Sequence, residues 1–263
     1  MTSGPGLVER AWDDAARGYD AYFGPRFAPY LSAAIGALAA HSNALPPGAI
    51  VVPCAGPGRE LGPLARAFPE RRILASDLAS EMVELARQRT QAFPNVHVAR
   101  GDASALSYPS EPIAAVLSVF GLQLLPKQAT TLTSWVELLA PGGVAAVLFW
   151  PRDAEASGPF HTMRRLLRGA GLVDGEWEAE LVPRALALGA RLRADIQLSF
   201  SMHHDDAQAM WNALTRLGPL RGLALERGAA LIDALGVEFV AELPEGQIEH
   251  TPSARLLVLE RPG

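Results

Sequence analysis

Two glycines one residue apart, Gly56 and Gly58, follow an apolar β-branched run, Ile50-Val51-Val52, that stops at Pro53. Without a Cβ they let the backbone turn sharply and let a ligand lie against the main chain. Helical spacing at Leu61, Leu64, Ala65 and Phe68 follows, and its free N–H groups add a mild positive potential. Asp77 ends the next apolar run, Ile73-Leu74-Ala75-Ser76, roughly 20 residues past the glycines. An acid there suits bidentate hydrogen bonding to ribose hydroxyls; its plainer role is a helix cap before Ser80. Asp102, in Gly101-Asp102-Ala103, ends a third run, where a carboxylate can accept from an adenine amino group or simply serve a turn. A fourth run ends in Ser118-Val119-Phe120-Gly121-Leu122-Gln123, an apolar edge able to pack beside a reacting carbon.

These residues need a scaffold that sets strand ends side by side. Strand-like segments near 49–52, 72–76, 96–100, 114–119 and 144–149 alternate with helical patterns near 59–68, 80–91 and 129–139. Such alternation predicts an α/β fold: a seven-stranded, mostly parallel Rossmann-like sheet with helices on both faces. Residues 7–40 read as helix, broken into shorter pieces at Pro25 and Pro29. After Trp150 the rhythm changes to loops and helices, a strand near 195–201, helices near 205–217 and 220–235, and closing strands near 237–241 and 254–260. The expected organisation is an N-terminal helical lid over 1–45, a cofactor-binding core over 46–150, an inserted substrate lid carrying the sixth strand over 151–235, and closing core strands over 236–263.

Composition narrows the function classes. Hydrophobic residues make up 49% and charged residues 19%, which fits a packed globular core. The formal charge of −5 disfavours nucleic acid as a partner, and the Arg164, Arg165, Arg168 cluster reads as a solvated helix face. Cys54 is the only cysteine, which leaves no disulfide framework and no thiolate metal site; no metal is expected. No apolar run approaches the ~18 residues of a membrane span, and the acidic start lacks a signal peptide, so the expectation is a cytoplasmic protein away from membranes.

With these residues in this order, the chain resembles the class I S-adenosylmethionine-dependent methyltransferases of the small-molecule type, strongly over about 12–150. The resemblance implies S-adenosyl-L-methionine as cofactor, with Gly56 and Gly58 under its methionine and ribose. It implies Asp77 on the ribose hydroxyls, Leu78 and Met82 against adenine, and Asp102 with the Ala103 backbone on the adenine edge. Ser118, Val119 and Phe120 would lie near the sulfonium and Gln123 on the substrate side. Tyr19 and Tyr22, in the stretch Trp12-Asp13…Tyr22-Phe23, look like the lid that closes over the methionine, although core packing also explains them. One departure is clear: the acid usual in the first strand is Val52 here, followed by Pro53 and Cys54.

Methyl transfer to an oxygen or nitrogen of a small, secondary-metabolite-like acceptor needs alignment and water exclusion above all. A base is needed only where the acceptor must lose a proton. His203 and His204, just past the sixth strand, are the first candidates and His161 the next, with surface histidines as the plainer reading. Phe160, Met163, Met202 and Trp211 are candidate pocket walls, or ordinary core of the insert. A homodimer is left open. Two other readings stand beside this one: a cofactor-binding protein without methyl transfer, and a nicotinamide-dependent oxidoreductase. The second is opposed by Gly62, one residue late for the dinucleotide fingerprint, and by the lack of a tyrosine four residues before Lys127.

Overall fold

The structure, a computed structural model, describes residues 5–106, 111–172, 176–216 and 218–263. It opens with helix α1 (Pro5–Ala39), 35 residues without interruption. The breaks expected at Pro25 and Pro29 do not occur. Both prolines lie on the exposed side, where carbonyls left without an N–H partner can meet water. Phe23, Phe27, Tyr30, Ala34 and Leu38 line the opposite side and are all buried, so packing carries the helix through its local breakers.

Alternating elements follow: β1 (Ala49–Pro53), α2 (Leu61–Ala67), β2 (Ile73–Asp77), α3 (Ser80–Thr90), β3 (Val96–Arg100), β4 (Ile113–Val119), α4 (Gln128–Leu138) and β5 (Leu139–Phe149). Then come α5 (Pro159–Gly169), α6 (Leu181–Ala187), β6 (Arg191–Ser199), β7 (Met202–His204), α7 (Ala207–Leu214), α8 (Gly218–Arg227), α9 (Ala229–Glu242), β8 (Ile248–His250) and β9 (Ser253–Glu260). The end of the helix expected over 205–217, at Leu217, lies outside the described residues.

Seven strands form one sheet in the order β3-β2-β1-β4-β5-β9-β6. β1 pairs in parallel with β2 and β4, β2 with β3, and β4 with β5, while β9 runs antiparallel to β5. The central strands are buried on both faces, as their unbroken Val/Ile/Leu/Ala runs require. The two edges, β3 and β6, are largely exposed, and β6 carries Arg191, Arg193 and Asp195, which blunts its free edge.

Two differences from the sequence reading have a common cause in burial period. The strand expected at 237–241 is the end of α9: Ile232, Leu235, Gly236 and Phe239 are buried while Val237 is 72% exposed, a helical stripe rather than alternation. The sixth strand starts four residues early, at Arg191, and ends at Ser199; Met202–His204 instead pairs antiparallel with Ile248–His250 in a separate ladder. The chain therefore divides into a sheet unit (28–151, 176–198, 254–263) and a helical unit (1–27, 152–175, 199–253). Residues 236–253, expected among the closing core strands, fall in the helical unit. Among the described residues no helix is long and apolar enough to cross a membrane.

Candidate functional site

In the sheet unit the parallel strands deliver the sequence-predicted residues to one end of the sheet. At the end of β1 the chain turns through Cys54 (φ 54°), Gly56 (φ 50°) and Gly58 (φ 71°). The two glycines do different things. A Cβ on Gly58 would meet Ala86 Cβ at 2.8 Å and Leu61 Cδ1 at 2.9 Å, so this glycine seats the loop on α2 and α3. A Cβ on Gly56 would meet nothing within 4 Å; open space lies over it. The Gly56 N–H donates to Asp77 Oδ2 at 2.8 Å, and the Ala79 N–H donates to Oδ1 at 3.0 Å. Asp77 thus braces the turn before α3, whose N-cap is Ala79 with no side-chain cap bond, and ties the glycine loop to the end of β2.

Asp102 at the end of β3 accepts from the Ser104 N–H at 2.8 Å and the Ser104 hydroxyl at 2.7 Å. The Trp135 indole N–H holds the Ala103 carbonyl at 2.8 Å, fixing that turn from the core side. Met82 is buried, with Leu78 partly so, on the segment after β2. At the end of β4, Phe120 has φ 56°, strain of the kind concentrated at functional turns. Its ring stacks on Trp150 at 4.3 Å, and Tyr30 meets both rings edge-on. The Gln123 amide donates to the Phe120 carbonyl at 2.9 Å, while Gln123 Oε1, Ser118 Oγ and Ser76 Oγ are buried without a hydrogen-bond partner in the protein. Buried orphan acceptors and hydroxyls cost free energy unless a ligand meets them.

Sequence reasoning missed Tyr30, Trp150 and Glu60. Glu60 sits two residues past Gly58 and is 5% exposed. Burial, then its neighbour Asp77, pushes its carboxyl up to about 8, against its own backbone amide and Arg89. It is an acid at the loop where Val52 supplies none; a charged residue amid the apolar start of α2 was the available signal. Cys54 is a partly buried thiol pushed well above its usual range, first by desolvation and then by Asp77, Asp102 and Glu60, so it packs and does not attack.

The helical unit holds the remaining candidates. His203 is exposed: its carbonyl takes the Arg26 Nε–H at 2.8 Å, and its ring lies 3.8 Å from Glu249. His161 is exposed on α5. Phe160 meets the His250 ring edge-on at 5.1 Å, and Met163 is half-buried. Met202 and Trp211 are core, Trp211 lying against Phe239 at 5.0 Å and over Gly236. Trp211 also borders a groove of about 790 Å³ with Asp14, Gly18, Gln208, Asn212 and Arg216. In α1, Tyr19 stacks on Phe23, and the Tyr22 hydroxyl meets His204, not His203.

Set against known proteins, residues 50–143 match the family model described as "Methyltransferase domain". The trans-aconitate 2-methyltransferase of Azoarcus sp. is 31% identical over 206 residues, covering 72% of this chain and 76% of that protein. The Streptomyces coelicolor enzyme of the same name is 32% identical over 205 residues, covering 72% and 66%. Among solved structures, geranyl diphosphate C-methyltransferase from Streptomyces coelicolor A3(2), in complex with S-adenosyl-L-homocysteine, superimposes with a TM-score of 0.53 at 13% identity, over 88% of this chain and 76% of that one. The glycine loop open over Gly56, the Asp77 carboxylate beside it and the unmet buried groups of β2 and β4 fit S-adenosylmethionine at the strand ends. By sheet order, strand-end chemistry and kinship together, the chain belongs to the class I S-adenosylmethionine-dependent methyltransferases.

Proposed function

We propose that the acceptor is a small organic molecule, methylated on oxygen or nitrogen, and that the strand ends of the sheet unit bind the cofactor. The observation that carries this reading is the 206-residue match to a trans-aconitate 2-methyltransferase, which extends well beyond the 94 residues (50–143) of the family-model match. The bound cofactor supplies a methyl group already activated on a positive sulfur. What remains for the chain is to bind, orient and exclude water. Asp77 holds the ribose hydroxyls, with Gly56 and Gly58 keeping the main chain close. Asp102 and Ala103 read the adenine edge beside Leu78 and Met82. Ser118 and Phe120 flank the methyl-donating end, with Gln123 toward the acceptor.

Incubation with S-adenosylmethionine and a panel of trans-aconitate, phenols, quinols, alcohols and small amines tests the reading. Release of S-adenosylhomocysteine dependent on one of these acceptors is the expected result. Turnover on bulk tRNA with none on the panel overturns it.

A further inference from the structure

The groove of about 790 Å³ in the helical unit opens among α1, α7, α8 and α9, and its size suits a small organic ligand. Trp211, on α7, borders it and is only 4% exposed. The indole edge lies against α9 at Gly236, which also borders the groove: a Cβ there would stand 2.3 Å from Nε1 and 2.7 Å from Cδ1. Only glycine leaves room for that edge. The other buried indole, Trp135, has its N–H on the Ala103 carbonyl at 2.8 Å. Among the described residues nothing accepts the Trp211 N–H. A donor so deeply seated costs free energy when left bare, and the groove is where an acceptor can reach it.

Among the described residues four charged side chains border the groove. Two of them cancel: Arg221, on α8, donates from Nε at 3.0 Å and from Nη2 at 2.7 Å to Asp14 Oδ2, on α1. The other two, Arg216 just past the end of α7 and Asp233 on α9, have no ion-pair partner among the described residues. Arg216 is seated by a glycine. A Cβ on Gly18 would stand 3.2 Å from Arg216 Cδ, so the arginine stem lies close along the α1 backbone. The Gln208 and Asn212 amides, one turn apart on α7, bond to each other at 3.0 Å. On α9, Ile232 and Val237 flank the groove beside Asp233, and Val237 is 72% exposed. The groove therefore offers one unpaired cation, one unpaired carboxylate, a bare N–H and an apolar wall.

We propose that this groove binds a zwitterionic α-amino acid with a branched apolar side chain, its carboxylate between Arg216 and the Trp211 N–H and its ammonium on Asp233. A carboxylate accepts from a guanidinium and from an indole N–H, so it meets both unmet donors on the α7 side. An ammonium donates to a carboxylate, which is what Asp233 lacks. A plain anion would bring a like charge to Asp233. A plain amine would face Arg216 and leave the indole N–H unmet. Asp14 and Arg221, already paired, tie α1 to α8 and keep that side of the groove neutral. The branched side chain would cover Ile232 and Val237 and take apolar surface out of water. The site uses residues of the helical unit only and makes no demand on the methyl acceptor proposed above, so the two can fail separately.

Calorimetric titration of the full chain with L-leucine tests this, beside two compounds that each lack one of its charges, 4-methylpentanoate and 3-methylbutylamine. L-Leucine should bind, and each of the other two ~10-fold or more weakly, as for losing a charge-assisted hydrogen bond. In a nitrogen–proton spectrum the Trp211 indole resonance should move with L-leucine, while that of Trp135, whose N–H is already taken, stays. Arg216→Gln and Asp233→Asn change exposed side chains, so the urea midpoint should hold, and each should weaken L-leucine by ~10-fold or more. If 4-methylpentanoate binds as tightly as L-leucine, the groove is an anion site and the proposal is overturned; wild-type affinity in either variant overturns it as well. A Trp211 resonance that follows protein concentration and not L-leucine would give the groove to a second copy of the chain and also overturn it. No binding of L-leucine at millimolar concentration sinks the proposal and leaves methyl transfer standing. Failure to bind S-adenosylmethionine sinks the methyl-transfer reading and leaves this one untouched.

Discussion

Each unit buries a glutamate, and the two are handled differently. Glu60, in the sheet unit, has burial as its dominant influence and a carboxyl pushed up to about 8. Glu155, in the helical unit, has a main-chain N–H on one oxygen and an imidazole on the other. The lesson is that a buried acid costs stability where donors are few and is held at less cost where a donor meets each oxygen. The two units also titrate in opposite senses. For Glu60 the folded state keeps a proton that the unfolded state loses above 4.5, so stability falls as pH rises from about 4.5 to 8. For His204 the unfolded state gains a proton below 6.5 that the folded state refuses until about 3, so stability falls as pH drops through that window.

The largest effect should come from removing the isolated acid. Glu60→Gln should stabilise the chain by up to about 4 kcal/mol at pH 8.5, the free energy of a shift from 4.5 to about 8 less relaxation, and by little at pH 4.5. Urea unfolding at the two pH values checks this. A stabilisation that is the same at both would show that packing, not ionisation, sets the cost.

Asp77→Ala sharpens the contrast, because Asp77 both raises the Glu60 carboxyl and binds the loop through the Gly56 N–H. It should weaken S-adenosylmethionine by roughly 1.5–3 kcal/mol, as for losing charge-assisted hydrogen bonds, while shifting the Glu60 titration down. Calorimetric titration of the cofactor and a pH series of unfolding read the two halves separately. Unchanged cofactor affinity would remove Asp77 from the site.

The sheet unit was largely legible because its signals are local. Apolar runs punctuated by Pro53, Gly56, Gly58, Gly101 and Gly121 mark strands and their ends, and Asp77 and Asp102 fall where those strands stop. The helical unit was not, because its chemistry depends on pairing between distant segments. His204 and His250 are 46 residues apart and meet through a ladder three residues long on each strand. Which of His203 and His204 faces inward is a question of strand parity, set by that ladder: the burial pattern of β7 is buried, exposed, buried. Sequence alone favoured His203. Likewise, Tyr30 joins Phe120 and Trp150 only because α1 runs unbroken past two prolines.

The acid limb of the comparison belongs to His204. Between pH 6.5 and 5 the wild type should lose at most about 1 kcal/mol per pH unit from this ring, a value below the one-proton limit to allow for screening. His204→Gln should flatten that limb and leave the loss above pH 4.5 that belongs to Glu60. Parallel profiles for wild type and variant would place the acid sensitivity elsewhere.

The smallest effect should be at the neighbouring ring. His203 differs from His204 by one position, yet its side chain is 71% exposed and its nearest carboxylate, on Glu249, lies 3.8 Å away at 65% exposure. Its main-chain carbonyl, which holds Arg26, survives any side-chain change. His203→Ala should therefore alter stability by no more than about 0.5 kcal/mol, as for a solvated surface position. Loss of its charge when protonated removes one of the influences that hold the folded His204 pKa down, so the lower end of the acid limb should rise slightly in pH while its onset near 6.5 and its slope stay unchanged. Urea midpoints of wild type, His203→Ala and His204→Gln across pH 4–8 test the pair together. If the two single replacements flatten the acid limb equally, the parity argument fails, and the exposed ring shares the acid sensitivity of the buried one.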